Sequence, residues 1–542
     1  MPPLVFTNLA AQKALQSCAT QLEADEAREN RFVWTAWCTI GLSTAFVLFS
    51  NLRFGRDALA VGFTDDFFYY AQVARNFALH GVSTFDGTHL TNGYHPLWML
   101  VLALLTKVFG IGGILHAATV IPFAAALDLV QFSLVMVIAY FAFRVLRQAC
   151  DVAVTCCLQV LLVIFCLILV RLGMEVGLTM ATLLGLLWFR LQPGFRWSVR
   201  KSFLYGLIAG MMVLSRLDSI LLVGLLLLFD VLANGTNAKL RVRNALWFCV
   251  GMWPVLVYLA INIWIFHALL PVSGTAKQLR LHHLPSLAAI HSLHYLFGIQ
   301  GFFLLEPCVL TAAALIVMAT GRHGTNRGSE GFIWAALTFP VVHLLTIVTL
   351  SDWRIWPWYL YPWPVAGVVA GSLIFSQRQR KEPESRSEAG VLSFAVALAF
   401  LVTYAAVIPF CSSPKSNQIY MAGMDIRRFA QSHPGIYATG DRAGAVGYLA
   451  NVPVIQLEGL MMDQEFLQNI RAERDLRDVL KQYHVRYYIW ASTSGVPDAD
   501  GCFRVKEPIQ AGPDSPTMRA HLCEVPVAVF PHDGFVNELF KM

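Results

Sequence analysis

The chain has 542 residues, 56% of them hydrophobic and only 14% charged, with a formal net charge of +6. Soluble domains carry about 25% charge, so an ordinary soluble protein is excluded. The modest positive balance fits loop asymmetry in a membrane protein rather than nucleic-acid binding.

Several apolar stretches between residues 33 and 411 reach the roughly 20 residues that cross a bilayer. Hydrocarbon forces every backbone N–H and C=O to find an internal partner, so helices are expected. The alternating segments of about 10 residues that mark a transmembrane barrel are not seen. The first run, 33–51, follows a polar lead and has no small-residue cleavage site behind it. It reads as a permanent first helix rather than a signal peptide. A long stretch at 95–143 follows, then runs at 152–171, 174–190, 203–217, 219–233, 244–266, 299–320, 332–350, 357–376 and 391–411.

Four basic connections stand between these runs: Arg190/Arg196/Arg200/Lys201, Lys239/Arg241/Arg243, Arg322/Arg327 and Arg378/Arg380/Lys381/Arg386. An even number of runs separates each from the next, so the positive-inside rule puts all of them in the cytoplasm. The other face receives the loop 52–94, the turns at Met174–Glu175 and Arg216–Asp218, the loop 267–298, the turn Asp352–Trp358 and everything after residue 412. Cytoplasmic Arg144 and Arg147 would require an odd number of crossings within 95–143, giving about 11 to 13 spans. The expectation is an α-helical polytopic membrane protein of a bacterial inner membrane, N-terminus cytoplasmic. Residues 1–411 form the membrane domain and 412–542 an extracytoplasmic domain.

That tail alternates strand-like runs at 435–439, 452–457 and 485–490 with a charged helical stretch at 464–482, the rhythm of a small α/β domain. Its Asp441–Gly447 segment is glycine-rich but lacks the G-x-G-x-x-G and Walker spacings, and reads as a tight turn. Of the 11 Cys, Cys38, Cys156, Cys157, Cys166 and Cys249 lie in apolar runs as small hydrophobes. Cys502 and Cys523 sit in the polar tail, where an oxidising compartment permits a disulfide.

The first external loop carries the most chemistry. Asp65 and Asp66 precede Phe67, Phe68, Tyr69 and Tyr70, and the run to Leu79 suits an interfacial amphipathic helix with a carboxylate at its N-terminus. A plain reading is a capped surface helix. A functional one is that the acids, with Asn92, Tyr94 and His95 returning on the same side, hold a hydroxyl and take its proton. Glu175 caps a helix or joins these acids, and Arg216 with Asp218 reads as a buried pair ordering a turn. Ionisable residues at membrane depth are nonetheless functional candidates. Lys277, and Arg354 with Tyr359 in Asp352–Trp363, have the side and depth to hold a phosphate, although most of those aromatics suit an interfacial belt. His282, His283, His291 and His294 suggest a metal set, but a solvated loop explains them better.

The acid pair after helix one, the aromatics and Gly93-Tyr-His-Pro-Leu-Trp98 resemble the first loop of the GT-C glycosyltransferases. These polytopic enzymes use polyprenyl-phosphate-linked sugars; protein O-mannosyltransferases, lipid A aminoarabinose transferases and mycobacterial arabinofuranosyltransferases are examples. Arg171–Glu175 is similar to an acidic element at an external helix turn of that family, and Lys277 and Arg354–Tyr359 to its basic elements. The resemblance implies a GT-C-like fold and transfer of a hexose or pentose from a polyprenyl-phosphate donor in the bilayer to a hydroxyl of a glycan, lipid or protein, with inversion. Asp65 would be the base, Asp66 and Glu175 would orient the acceptor, and Lys277 and Arg354 would hold the leaving phosphate, with Arg216, Asn92, Tyr94, His95 and Tyr359 around them. Relatives differ in metal dependence, and a divalent cation would sit on Asp65 or Asp66 with Glu175. The competing class is a lipid or solute transporter, against which stand the clustering of acids at one face and the lack of a repeat.

Overall fold

The computed structural model describes residues 5–110, 117–232, 237–280, 284–293, 299–319, 329–381, 386–492 and 497–542. The basic residues Arg322 and Arg327, and the histidines His282, His283 and His294, lie outside that set. The membrane half consists of α1 (Val5–Phe49), α2 (Asp65–His80), α3 (Pro96–Phe109), α4 (Ala117–Leu146), α5 (Val152–Val170), α6 (Val176–Arg190), α7 (Val199–Ser215) and α8 (Ile220–Leu226). It continues with α9 (Ala238–Gly251), α10 (Trp253–Phe266), α11 (Val272–Ala276), α12 (Leu287–Ser292), α13 (Ile299–Ala319), α14 (Glu330–Leu350), α15 (Pro362–Lys381) and α16 (Arg386–Cys411).

Among the described residues, five helices are long and apolar enough to cross a membrane, in α1, α4, α5, α14 and α16. The pair α9–α10 makes a sixth candidate, bent by 52°, with Pro254 at the start of α10, where a helix tolerates proline. Shorter apolar helices include α3 and α6, so the expected 11 to 13 spans would depend on such short pieces. The stretch 95–143 resolves into two helices, of which α4 alone has the length of a crossing.

The helices follow the inside-out logic of a bilayer. Leu104, Val108, Leu256 and Trp264 are exposed, whereas Gln131 and Gln159 point inward and donate to the Val170 and Ala139 carbonyls at 2.8 and 3.0 Å. Helices α7 and α9 approach so closely that a Cβ on Gly206 would lie 1.9 Å from the Phe248 carbonyl oxygen, the small-residue packing of membrane helices. Arg190 at the end of α6 donates to Asp230 at 2.6 and 2.8 Å in a buried pair that Tyr205 joins at 3.2 Å.

The tail comprises α17 (Gln418–Ser432), β1 (Ile436–Thr439), α18 (Ala443–Ala450), β2 (Val454–Gln456), α19 (Gln464–Arg471), α20 (Leu476–Gln482), β3 (Val485–Ser492), β4 (Phe503–Glu507), β5 (Met518–Leu522), β6 (Ala528–His532) and β7 (Phe535–Lys541). Its main sheet has the order β2-β1-β3-β7-β6, parallel where β1 meets β2 and β3 and antiparallel beyond. The register pairs Ala438 with Ile455 and Tyr488, and Tyr488 with Phe540. Strands β4 and β5 form a separate hairpin whose flanks are joined by the Cys502–Cys523 disulfide. The expected turn at Asp441–Gly447 is instead the entry of α18. It holds four small residues, Ala443, Gly444, Ala445 and Gly447, because α2 packs directly on it.

That packing also corrects the expected interfacial helix. Residues Phe67 to Arg75 of α2 are all buried, clamped between the bundle and the tail. Phe68 meets Tyr448 and Tyr420, Arg75 donates to the Tyr448 carbonyl at 2.9 Å, and a Cβ on Gly447 would strike the Phe85 ring. A helix buried along this length, with its Gln72 and Arg75 hydrogen-bonded internally, belongs in an interior.

Candidate active site

One end of the bundle, the end that carries the tail, holds a narrow cavity of about 70 Å³. Its wall is drawn from every segment expected on the external face: α2, the turn before α3, the turns α5–α6 and α7–α8, the loop before α11, and the turn before α15. The tail contributes Leu460 and Met461 from the segment after β2.

Asp66, in the first turn of α2, lies in this wall with Lys277, Glu175 and Arg216. Burial pushes its carboxyl up to about 6; the Lys277 ammonium works against that rise, and the carboxylates of Glu175 and Asp441 add to it. Lys277 donates from Nζ to the Tyr359 hydroxyl at 2.8 Å and stands 5.9 Å from the centre of the Trp353 ring. Burial draws its pKa down, but Tyr359 and Asp66 outweigh that and hold the amine above its ordinary value. It is charged at neutral pH.

Arg216 is fixed from several sides. Its Nη1 donates to Glu175 Oε1, and its Nε to Asp218 at 3.0 and 3.1 Å. Asp218 is held in turn by His343 at 3.0 Å and the Tyr361 hydroxyl at 3.3 Å. The guanidinium stands over the Tyr359 and Tyr361 rings, 4.9 and 5.1 Å from their centres. Such a framework presents a positive charge without a side-chain search. Glu175 is fully buried; its Oε2 has no hydrogen-bond partner among the described residues. His95 accepts the Leu217 N–H at Nδ1, which puts its ring proton on Nε2, 3.7 Å from Glu175 Oε1.

In sequence, no protein family and no curated protein matches the chain. Solved structures with a similar course of the chain include ArnT from Cupriavidus metallidurans, crystallised with undecaprenyl phosphate bound. It is 12% identical at a TM-score of 0.49, with 90% of this chain and 97% of that one covered. The oligosaccharyltransferase of Archaeoglobus fulgidus, in complex with Zn and sulfate, is 11% identical at a TM-score of 0.44, with 83% and 67% covered. Likenesses of this depth leave the chemistry to be read from the residues.

Of the expected site residues, Asp66, Tyr94, His95, Glu175, Arg216, Lys277 and Tyr359 meet at the cavity. Asn92 stands behind it, accepting the Val272 N–H at 2.9 Å and so ordering the loop that carries Lys277. Two expected residues lie elsewhere. Asp65 turns toward the tail and accepts the Gly444 and Ala445 N–H groups at 3.1 and 2.8 Å. Its carboxyl is pushed up to about 7, chiefly by burial. Arg354 lies with its guanidinium 4.3 Å from the centre of the Trp356 ring and does not line the cavity. The split between the two acids follows from helix geometry, since neighbours on a helix point about 100° apart.

The expected cation pair Asp65–Glu175 is divided in the same way, because the α18 amides hold Asp65 while Arg216 holds Glu175. The described His, Cys, Asp and Glu side chains gather tightly enough for a metal at Asp500, Cys502 and His521, but the Cys502 sulfur is committed to the disulfide.

The sequence reading missed the tail's share of the wall. Its one available signal was Gly93, where a Cβ would lie 1.9 Å from the Leu460 carbonyl oxygen. Glu458, two residues before Leu460, is buried with Oε1 unpartnered among the described residues and Oε2 3.3 Å from Gln456 Nε2.

Proposed function

We propose that the chain is a GT-C-type glycosyltransferase that moves a hexose or pentose from a polyprenyl phosphate to a hydroxyl of a glycan, lipid or protein. It acts at the extracytoplasmic face of a bacterial inner membrane, with the N-terminus in the cytoplasm and the tail outside. The observation that carries this reading is that Asp66 shares one cavity with Lys277 and Arg216, at one end of a bundle of apolar helices.

Asp66 accepts the proton of the acceptor hydroxyl as its oxygen attacks the anomeric carbon. The bond from that carbon to the phosphate oxygen breaks, and the electron pair leaves with the phosphate. Lys277 and Arg216 stabilise the charge that grows there. Attack opposite the leaving group inverts the anomeric centre. A carboxyl raised to about 6 is ionised at neutral pH yet more basic than an ordinary aspartate, which favours proton uptake. Tyr70, Tyr94 and His95 line the same space and orient the acceptor. Where the enzyme uses a divalent cation, Asp66 and the unpartnered Glu175 Oε2 are the donors that fit it, and it would add Lewis-acid assistance to departure of the phosphate.

The test is Asp66→Asn, reconstituted in proteoliposomes with radiolabelled polyprenyl-phosphate sugars and envelope acceptors. Transfer should fall by at least about 100-fold; transfer at the wild-type rate rejects the assignment. The transporter reading predicts counterflow of labelled solute in the same vesicles, and the acids and cations at one face argue against it.

A further inference from the structure

A second, more open cleft lies at the junction of the two halves, on the other side of the α2 N-terminus from the catalytic cavity. It has a volume of about 520 Å³ and is lined by Thr64, Arg171, Ser412, Asn417, Arg442 and Asp533, with Phe63 and Phe535 beside them. Its floor is set by the ends of two apolar helices long enough to cross the membrane, because Arg171 caps α5 and Ser412 follows α16. The cleft therefore lies where lipid headgroups meet water, while its roof belongs to the tail.

The charges in it are only partly spent. Arg171 Nη2 donates to Ser412 Oγ at 3.1 Å, and the side chain stands beside Tyr404; its Nε is buried with no hydrogen-bond partner among the described residues. Arg442 lies 3.6 Å from the centre of the Phe535 ring and 3.6 Å from Asp441, too far for a direct hydrogen bond. Asp533 is the counter-charge in the wall; Gln418 Nε2 donates to its Oδ2 at 3.4 Å, and the Asp533 backbone N–H donates to Gln418 Oε1 at 3.3 Å. Two guanidinium groups, hydroxyls and an aromatic ring around one open space match a phosphate ester carried on a polyol.

We propose that this cleft binds a phosphorylated polyol headgroup. The chemistry is shared by a sugar phosphate on an incoming acceptor and by the glycerol phosphate of an anionic lipid at the bilayer surface. The site does not depend on the transfer reaction, since none of the residues named for it touches the catalytic cavity. Thr64 and Arg171 are nevertheless close in sequence to Asp65–Asp66 and to Met174–Glu175, so a headgroup held here would sit on the elements that also carry the proposed catalytic acid.

The experiment is thermal unfolding and binding with the full chain in nanodiscs, in phosphatidylcholine alone, with phosphatidylglycerol added, and with soluble glucose 6-phosphate titrated in. Either phosphate ester should raise the unfolding midpoint, because a ligand that binds only the folded state stabilises it. A response to phosphatidylglycerol alone assigns the cleft to lipid, and one to glucose 6-phosphate assigns it to a soluble or acceptor-borne headgroup. Arg171→Gln and Arg442→Gln should each weaken binding roughly tenfold, while Lys277→Gln, in the other cavity, should leave it unchanged. Asp533→Asn removes the opposing charge and should tighten binding severalfold, a gain that damage to the fold does not produce. No response to either probe overturns the proposal, as does equal binding by wild type, both arginine variants and Asp533→Asn.

Discussion

The two neighbouring acids of the first loop are assigned different tasks, and a pair of isosteric substitutions separates them. Asp66→Asn keeps the shape of the side chain but removes the base, so transfer should fall by about 10² to 10⁴, or roughly 3 to 5 kcal/mol in the barrier. Stability should hold, because the substitution removes a carboxyl whose ionisation burial opposes. Asp65→Asn has the converse signature. An amide oxygen can still accept one of the two N–H groups at the start of α18, now 2.8 and 3.1 Å from the carboxylate, but the other bond is lost. A lost N-cap costs about 1 to 2 kcal/mol. If all of it falls on docking of the tail, the open form grows about 5- to 30-fold, which leaves most molecules docked when docking is worth several kcal/mol. Single-turnover transfer from a labelled lipid-linked donor should then slow by less than about tenfold, while the unfolding midpoint drops. Asp65→Asn as inactive as Asp66→Asn, with an unshifted midpoint, would refute the division.

Four further outcomes follow from the same geometry. The transfer rate should rise with pH through about 6, where Asp66 ionises, and this acid limb should be absent from the residual activity of Asp66→Asn; a limb that persists there belongs to another group. Stability should move the opposite way over acid pH. Asp65 and Asp66, raised from 3.8 to about 7 and 6, keep protons in the folded chain that the unfolded chain has released, so stability declines as pH rises from about 4 to 7; denaturant melts across that range check the sign. Lys277→Gln should lower transfer by roughly 10² to 10³ by withdrawing a cation from the departing phosphate, an effect weaker with a sugar donor whose leaving group is a better one. Gly93→Val would force a side chain onto the Leu460 carbonyl, 1.9 Å from the Cβ position; limited proteolysis should then release the tail from intact membranes, and an unchanged digestion pattern speaks against that contact.

Much of the fold was legible because its signals are local. The apolar runs and their basic connections placed the helices, and the segments assigned to the external face are the ones that meet around Asp66 and Lys277. The run 452–457 contains β2 and the run 485–490 covers all but the last two residues of β3, since apolar β-formers between turns need no tertiary help. Strands β4 to β7 escaped notice. β4 and β5 alternate buried and exposed residues, but Arg504, Lys506, Arg519 and His521 fill the exposed positions and Glu507 one of the buried ones, and β6 is mostly on the surface. The site was legible as a set of residues and illegible as geometry. Nothing in Thr-Asp-Asp-Phe says which acid faces which wall, because that depends on the rotation of α2, fixed by its burial of Phe67 and Phe68. Arg354, which does not line the cavity, is a similar case. Its neighbour Trp356 offers a ring face, and Arg216, which reads both as an ion pair ordering a turn and as a candidate site residue, stands with Lys277 in the wall.

The tail is therefore packed as one unit with the first loop rather than as an appended module. Take it away and Phe68 loses Tyr420 and Tyr448, Arg75 loses its carbonyl partner, and Asp65 loses both amides. A helix with Phe67, Phe68, Tyr69 and Tyr70 in succession would then expose aromatic surface that no first-turn carboxylate could keep in water. The same removal would open the cavity at Leu460 and Met461, returning Asp66 to solvent and to the pKa of an ordinary aspartate. Burial sets the basicity proposed for Asp66, and the tail supplies part of that burial. The distance in sequence between residue 66 and residue 461 measures how far the chain must fold before the acid of the first loop gains the burial that its proposed role as a base requires.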